Sequence, residues 1–274
     1  MRVGNTTIST VYLYPTAIML LLVAVSSFIL GIFPYGVLVA VLVCVVTEIL
    51  FNRFFSHKNW KHISLSAVIT GLIIGSIVPQ NPPLPLVAVA GIVAIASKFV
   101  LKWKHVQIFN PAAIGVLFAI AVFASSDVWW AETTYSIYGI AVSLAPLLIL
   151  ASWQARRLPA SFAFVAGSLM LGFVGTGFPG AFSLASIDAV MFSVNYILAF
   201  LMLADPKTSP QHTAHQVIYG LGVAMLIYLV SSYHISYPIQ VGLLAGNLLF
   251  AFYRVALRKM RVWLHPIATA AATA

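Results

Sequence analysis

The stretch Met202-Leu203-Ala204-Asp205-Pro206-Lys207-Thr208-Ser209-Pro210 decides how this chain is organised. It ends an apolar run, residues 189–204, whose composition is typical of a membrane helix. Because Pro206 has no amide hydrogen and disfavours a helical residue before it, Asp205 is predicted to be extended. The hydroxyls of Thr208 and Ser209 can satisfy free backbone groups. A carboxylate here needs a partner or an aqueous face, so the loop is predicted to lie against protein or water.

The composition is that of an integral membrane protein. Hydrophobic residues make up 62% of the chain, charged residues only 7%, and the mean hydropathy is +1.03. The net charge of +9 indicates basic cytoplasmic loops rather than nucleic-acid binding. Cys44 is the only cysteine, which excludes an intrachain disulfide and a thiolate zinc site. It lies among Val and Leu and is predicted to be a small buried apolar residue.

The apolar runs predict an all-α polytopic protein with about ten transmembrane helices. The expected domains are an N-terminal cytoplasmic segment 1–15, a membrane domain 16–255 and a basic, then disordered, cytoplasmic tail 256–274. The predicted spans are residues 16–33, 37–51, 63–78, 84–101, 110–124, 135–151, 160–174, 188–204, 215–230 and 238–253.

The distribution of Lys and Arg predicts the orientation of these spans. Nearly every basic residue falls in alternate loops or at the C-terminus, while the other loops carry acidic residues instead. Both termini are therefore predicted to be cytoplasmic, in the inner or plasma membrane. Ten spans also divide into two groups of five with opposite starting sides, 16–124 and 135–255, which predicts an inverted repeat with a site at its interface.

Local signals mark several helix ends and contacts. Asn110 followed by Pro111 is typical of an N-cap and a first helical residue. Gly71 and Gly75 are four residues apart, a spacing that lets two helices approach closely. The pair Trp129-Trp130 is predicted to anchor the outer loop at the membrane interface.

Two sets of motifs make the chain resemble a known family. The first comprises Ser97-Lys98-Phe99 and Phe109-Asn110-Pro111-Ala112-Ala113. The second comprises Ala204-Asp205-Pro206-Lys207-Thr208-Ser209-Pro210, Tyr219-Gly220 and Gly246-Asn247. Over residues 60–255 these resemble the NqrB/RnfD family of membrane subunits of NQR- and Rnf-type electron transport complexes. The resemblance implies a fold similar to urea transporters, flavin binding, and electron flow coupled to ion translocation. It also implies other membrane subunits of a redox complex as partners, a homo-oligomer being the alternative; no nucleic acid is expected.

One motif departs from the family pattern. Family members usually carry covalent FMN on a Thr in an outer loop, within a Ser/Asp-Gly-Ala-Thr pattern. The corresponding loop here, Ser125 to Thr134, has Thr but no Gly-Ala-Thr. Covalent FMN is therefore not expected, and any flavin, riboflavin or FMN, is expected to be noncovalent.

The resemblance implies five candidate residues for contact with a cofactor: Lys98, Asn110, Asp205, Thr208 and Asn247. Asp205 has two possible kinds of role. In a structural role it caps the loop or pairs with Lys207. In a functional role it is a ligand for a flavin, or for a cation that Thr208 and Ser209 also contact. Asn247, in an apolar helix, must find polar partners, and joining helices is the commoner role of such a residue.

The structural alternative is favoured for Asn110 and Lys98. Asn110 is expected to cap its helix, and Lys98 to reach the inner surface along its aliphatic stem. Glu48 is expected to pair with Arg53. His212 and His215, three residues apart without a third ligand, are not expected to bind a metal.

No self-contained catalytic constellation is present, since the chain has no Gly-x-Ser-x-Gly, Walker lysine or Rossmann glycine set. Three functions follow: a membrane subunit in flavin-dependent electron transport coupled to ion translocation, a small-solute or ion channel or transporter on the same fold, and a scaffold subunit of a membrane complex.

Overall fold

The computed structural model describes residues 2–3, 6–56, 64–103, 106–133, 140–175, 190–191 and 193–271, and these are mostly helical. Two short antiparallel hairpins pair β1 (Arg2–Val3) with β2 (Thr6–Thr7) and β3 (Lys102–Trp103) with β4 (Val106–Gln107). The helices are α1 Ile8–Leu30, α2 Tyr35–Phe51, α3 Leu65–Ile77, α4 Leu84–Val100, α5 Pro111–Val122, α6 Trp130–Thr133, α7 Ile140–Gln154, α8 Leu158–Gly175, α9 Thr213–Ser232 and α10 Pro238–Ala271.

Within the described residues, five helical stretches are long and apolar enough to cross a membrane: Tyr12–Leu30, Tyr35–Phe55, Leu158–Gly175, Thr213–Ser232 and Pro238–Ala256. Shorter apolar helices lie at Leu65–Ile77, Leu84–Val100, Pro111–Val122 and Ala145–Gln154. The chain is therefore a multi-pass membrane protein, as the composition predicts.

Among the described residues, two π-helical segments occur where the sequence predicts ordinary helix ends. One, Asn52–Ser56, continues α2; the other, Leu198–Met202, leads into the Asp205 loop. A π-helical turn widens the helix and leaves backbone groups to be paired elsewhere, which is why such turns are frequent at functional sites. The sequence gives no signal for either segment.

Glycines bring the helices into close contact. A Cβ on Gly71 would lie 2.5 Å from the Val41 Cα, and one on Gly75 would lie 2.5 Å from the Val37 Cα. The predicted close approach of α3 is thus confirmed, and its partner is α2. Gly220 on α9 makes a similar approach to α8, where an added Cβ would lie 2.3 Å from the Ala160 carbonyl oxygen.

Helices at both ends of the chain extend beyond the predicted spans, while the domain boundaries themselves stay predictions. Helix α1 begins at Ile8, inside the predicted segment 1–15, and contains Pro15. Helix α10 runs through to Ala271, whereas a tail was expected to leave the membrane domain at residue 256.

The tryptophan pair is buried in protein, so the prediction of a membrane-interface anchor is wrong. Trp130 is 2% exposed, and its Nε1–H donates to the Gly75 carbonyl at 2.8 Å. The Trp129 amide donates to the Ile77 carbonyl at 3.2 Å. Helix α3 ends just before Pro79, so its last carbonyls have no partner within the helix and accept these bonds. The segment that joins α5 to α6 therefore closes over the end of α3.

Candidate functional site

The Asp205 loop is closed by its own hydrogen bonds. The backbone carbonyl of Asp205 accepts from the amides of Thr208 at 3.2 Å and Ser209 at 3.1 Å, and from the Ser209 hydroxyl at 2.7 Å. The Lys207 amide donates to the Asp205 carboxylate at 3.1 Å. The predicted capping by a hydroxyl is confirmed for Ser209. The Thr208 hydroxyl is buried and has no hydrogen-bond partner among the described residues.

Asp205 lines a small cavity and is partly exposed. The Tyr12 hydroxyl donates to its Oδ1 at 3.2 Å. The cavity has a volume of about 40 Å³, which is room for about three water molecules. Its polar lining residues are Tyr12, Ser66, Thr70, Gln107, Asn110 and Asp205. A single carboxylate thus shares a water-sized space with uncharged oxygens from α1, α3 and the start of α5.

Asn110 joins this cavity to the π-helical segment. Its side-chain oxygen accepts from the Ala113 amide at 3.2 Å, so the predicted N-cap of α5 is confirmed. Its side-chain amide donates to the Met202 carbonyl at 3.2 Å. That carbonyl lies in the π-helical turn, whose widened backbone makes it available. Asn110 therefore fixes the start of α5 against the helix that carries Asp205.

Asn247 holds three helices together behind the cavity. Its side-chain oxygen accepts from the Asn110 amide at 2.9 Å, and its side-chain nitrogen donates to the Tyr219 hydroxyl at 2.6 Å. Asn110, Asn247 and Tyr219 are all buried. Both ends of the Asn247 side-chain amide are thus engaged by α5 and α9, as expected of a residue that joins helices.

Replacing Asn247 with Ala should destabilise the protein by about 1–3 kcal/mol, because the Asn110 amide and the Tyr219 hydroxyl would lose a buried partner. Thermal unfolding of the purified protein in detergent measures this as a lower midpoint. Ser232→Ala is the control, since that hydroxyl bonds the Tyr228 carbonyl at an exposed position. Equal midpoints for the two variants would contradict the role of Asn247.

Lys98 is buried, so the expectation that it reaches the inner surface is wrong. It is 6% exposed, and its ammonium donates to the Ser66 carbonyl at 3.0 Å and the Ser66 hydroxyl at 3.1 Å. Glu48 lies 3.7 Å from it and is 8% exposed. Glu48 therefore pairs with Lys98, and Arg53, which was the expected partner, is exposed. Two helix positions 50 residues apart in sequence meet only in the tertiary structure.

Arg157 lies against the Asp205 loop and bonds to it through Ser209. Its Nε–H donates to the Ser209 hydroxyl at 2.8 Å, and the residue is 2% exposed. Burial lowers the pKa of the guanidinium, and the charge of Asp205 acts in the opposite direction. Because an arginine side chain stays protonated in proteins, a positive charge remains close to the Asp205 loop.

The two histidines form an aromatic cluster. The rings of His212 and His215 are 5.7 Å apart, and the His215 Nε2 lies 3.0 Å from the Tyr253 hydroxyl. Cys44 is fully buried against Gly91, which confirms the prediction of a small apolar residue in the core.

The structure brings the predicted site residues together only in part. Asp205, Asn110 and Ser66 line the same cavity. Lys98 does not line the cavity but donates a hydrogen bond to the Ser66 hydroxyl. Asn247 supports Asn110 from outside the cavity, while Thr208 and Ser209 are not among its lining residues. Tyr12, Ser66 and Arg157 were not among the predicted site residues, because no local motif marks them.

A flavin ring does not fit the Asp205 cavity. Pockets for small-molecule ligands and cofactors usually measure about 300–1,000 Å³, whereas this cavity has about 40 Å³. Asn110 and Asn247 are also occupied by hydrogen bonds to protein groups. The cavity is therefore not a site for flavin redox chemistry.

The comparisons with known proteins identify a family. The model of the NQR2, RnfD, RnfE family matches residues 3–186. A search of curated proteins finds no match. The matched range contains Lys98 and Asn110 and ends before Asp205, so the resemblance of the 204–210 stretch to this family stays a prediction.

Proposed function

The chain belongs to the NQR2, RnfD, RnfE family, and from this we propose that it is a membrane subunit of a flavin-dependent electron transport complex coupled to ion translocation. Its own contribution is a binding site for the translocated cation at the Asp205 cavity. The observation that carries this proposal is that Asp205 lines a water-sized cavity together with residues that bear uncharged oxygens.

The chemistry of the cavity fits a monovalent cation. Such an ion is bound by oxygen ligands and can keep one or two waters, which the volume of about 40 Å³ allows. The carboxylate supplies one negative charge, and the hydroxyls of Tyr12, Ser66 and Thr70 supply neutral oxygens. Lys207 and Arg157 bring positive charge near Asp205, so binding is expected to be weak. Translocation requires such a site, because a tightly held ion cannot leave.

We further propose ten spans arranged as an inverted repeat of two five-helix units, with both termini cytoplasmic. Helix contacts support the repeat. In the first unit α2 packs on α4 and α4 on α5; in the second, α8 packs on α9 and α9 on α10. The contacts of α1 with α7 and of α5 with α10 join corresponding helices of the two units, as a two-fold axis requires.

Purification of the tagged chain from native membranes in mild detergent tests the redox role. We expect partner subunits to co-purify, and electron transfer by the preparation to be stimulated by added Na⁺.

Isolation of the chain alone, with Na⁺ flux after reconstitution into vesicles, would instead support a second function, a cation channel or carrier on the same fold. The water-sized cavity would serve that second function equally well. If partner subunits co-purify with the chain but the chain binds no Na⁺, its function is that of a scaffold subunit.

We propose that any flavin on this chain is noncovalent and lies outside the Asp205 cavity. After denaturing electrophoresis of the purified complex, the band of this polypeptide is expected to show no flavin fluorescence. Acid precipitation should transfer its flavin to the supernatant. Fluorescence that stays with the band would show a covalent link and would overturn the reading of the Ser125–Thr134 loop.

A further inference from the structure

The ends of α2 and α4 lie side by side and carry exposed aromatic side chains. Phe54 and Phe55, in the π-helical turn that continues α2, are 70% and 68% exposed. The rings of Phe51 and Phe55 stack with their centroids 5.3 Å apart, and the centroids of Phe51 and Phe99 are 5.2 Å apart. A row of three rings therefore runs from the end of α2 to the last turn of α4.

Two cationic side chains accompany this row of rings. The Lys102 ammonium lies over the Phe99 ring, 5.0 Å from its centroid, which is a cation–π contact. Arg53 is exposed on the same π-helical turn as Phe54 and Phe55. Positive charge thus comes from two separate elements, the end of α2 and the hairpin of β3 and β4. We call this surface the aromatic–basic patch; its members are Phe51, Arg53, Phe54, Phe55, Phe99 and Lys102.

The aromatic–basic patch carries a net positive charge. None of its members is acidic, and Glu48 is the single acidic residue among residues 1–126. Glu48 is buried and lies beside Lys98, so its carboxylate is not part of the exposed surface. The chemistry of the patch is therefore complementary to an anion that also has an apolar part.

The patch lies at the level where membrane helices leave the hydrocarbon layer. The apolar span that contains α2 ends at Phe55, and α4 ends at Val100, whose side chain is exposed. Lipid headgroups lie directly outside the hydrocarbon layer. Trp103, which follows Lys102, is also exposed, and tryptophan is enriched at this interface. Arg53 and Lys102 are thus placed at the depth of lipid phosphates.

We propose that the aromatic–basic patch is a binding site for an anionic phospholipid. The guanidinium of Arg53 and the ammonium of Lys102 bind the phosphate, and the aromatic rings contact the glycerol and the first part of the acyl chains. A zwitterionic lipid has the same phosphate and chains, but its headgroup adds a cation that Arg53 and Lys102 repel. The site therefore selects lipids whose headgroup is negative, and this role is independent of the proposed redox and cation-binding roles.

Native mass spectrometry of the delipidated full-length protein in detergent tests the site. Phosphatidylglycerol and phosphatidylcholine with identical acyl chains are titrated separately, and wild type is expected to bind phosphatidylglycerol more tightly. In the double variant Arg53→Gln, Lys102→Gln the affinity for phosphatidylglycerol should fall about 25-fold, about fivefold for each charge removed. Binding of phosphatidylcholine should change much less. Both substitutions are at exposed positions, and size-exclusion chromatography verifies that the variant is folded.

The double variant Arg156→Gln, Arg254→Gln is the matched control. It also removes two exposed positive charges from helix ends, but outside the aromatic–basic patch, so its affinity for phosphatidylglycerol should stay within about twofold of wild type. An equal loss in both double variants would show a general effect of charge and would overturn the proposed site. Equal affinity of wild type for the two lipids would also overturn it, and would assign the patch to unselective lipid contact or to a partner protein.

Discussion

Replacing Asp205 with Asn is expected to weaken binding of a monovalent cation by about 10- to 100-fold. A hydrogen bond or ligand contact to a charged group contributes roughly 1.5–3 kcal/mol, and about 1.4 kcal/mol corresponds to tenfold in affinity. The amide keeps the shape of the carboxylate and an oxygen that can accept from Tyr12 and from the Lys207 amide. The loss is therefore expected to come from charge rather than from an unfolded loop.

Binding of radioactive Na⁺ to protein in nanodiscs measures this effect. Asp127→Asn provides the matched control, because the Asp127 carboxylate accepts from Trp129 at 2.8 Å and from Gln240 at 3.1 Å and is not among the residues that line the cavity. If Asp205→Asn and wild type bind Na⁺ equally well, Asp205 only caps its loop, and the proposed cation site is wrong.

The second large effect is expected from adding one methyl group to Gly220. The new Cβ of Gly220→Ala would lie 2.3 Å from the Ala160 carbonyl oxygen and 2.9 Å from the Phe164 amide nitrogen. Both are backbone atoms of α8, so the two helices must separate. Overpacking of this kind costs about 1–3 kcal/mol or more, and α8 and α9 form one of the closest helix pairs of the bundle.

Gly222→Ala is a control two residues away on the same helix, since its added Cβ would meet no atom of another helix within 4 Å. This variant should be as stable as wild type or more stable by up to about 1 kcal/mol, because Ala favours a helix over Gly. Thermal unfolding in detergent, with size-exclusion chromatography to count folded protein, compares the two. A Gly220→Ala protein with an unchanged midpoint would show that α8 and α9 can separate freely.

Features that depend on neighbours in sequence were predicted correctly. Asn110 caps α5 because its side-chain oxygen and the proline that directly follows it are sufficient for this geometry. The Ser209 hydroxyl bonds the Asp205 carbonyl for a similar local reason. Gly71 and Gly75 were assigned to close helix packing from their spacing alone, although the partner helix was not predictable.

The errors concern which surface a side chain faces. Trp129, Trp130 and Lys98 were assigned to the membrane interface because tryptophan and lysine are common there. In the structure all three are buried and bond to α3, at Ile77, Gly75 and Ser66 respectively. A helix that is apolar on every side has no hydrophobic stripe to show which face meets lipid and which meets protein.

The sequence by itself determined a multi-pass membrane protein of this family, the polar Asp205 loop and the cap of α5, because hydropathy, proline and capping act over a few neighbouring residues. Only the tertiary structure decided that Asp205 shares a cavity with Tyr12 and Ser66, and that Glu48 is the partner of Lys98. Those contacts join helices far apart in the chain. They are set by how closely the helices pack, and in a bilayer, where every helix surface is apolar, that packing depends on shape and polar contacts that no local pattern encodes.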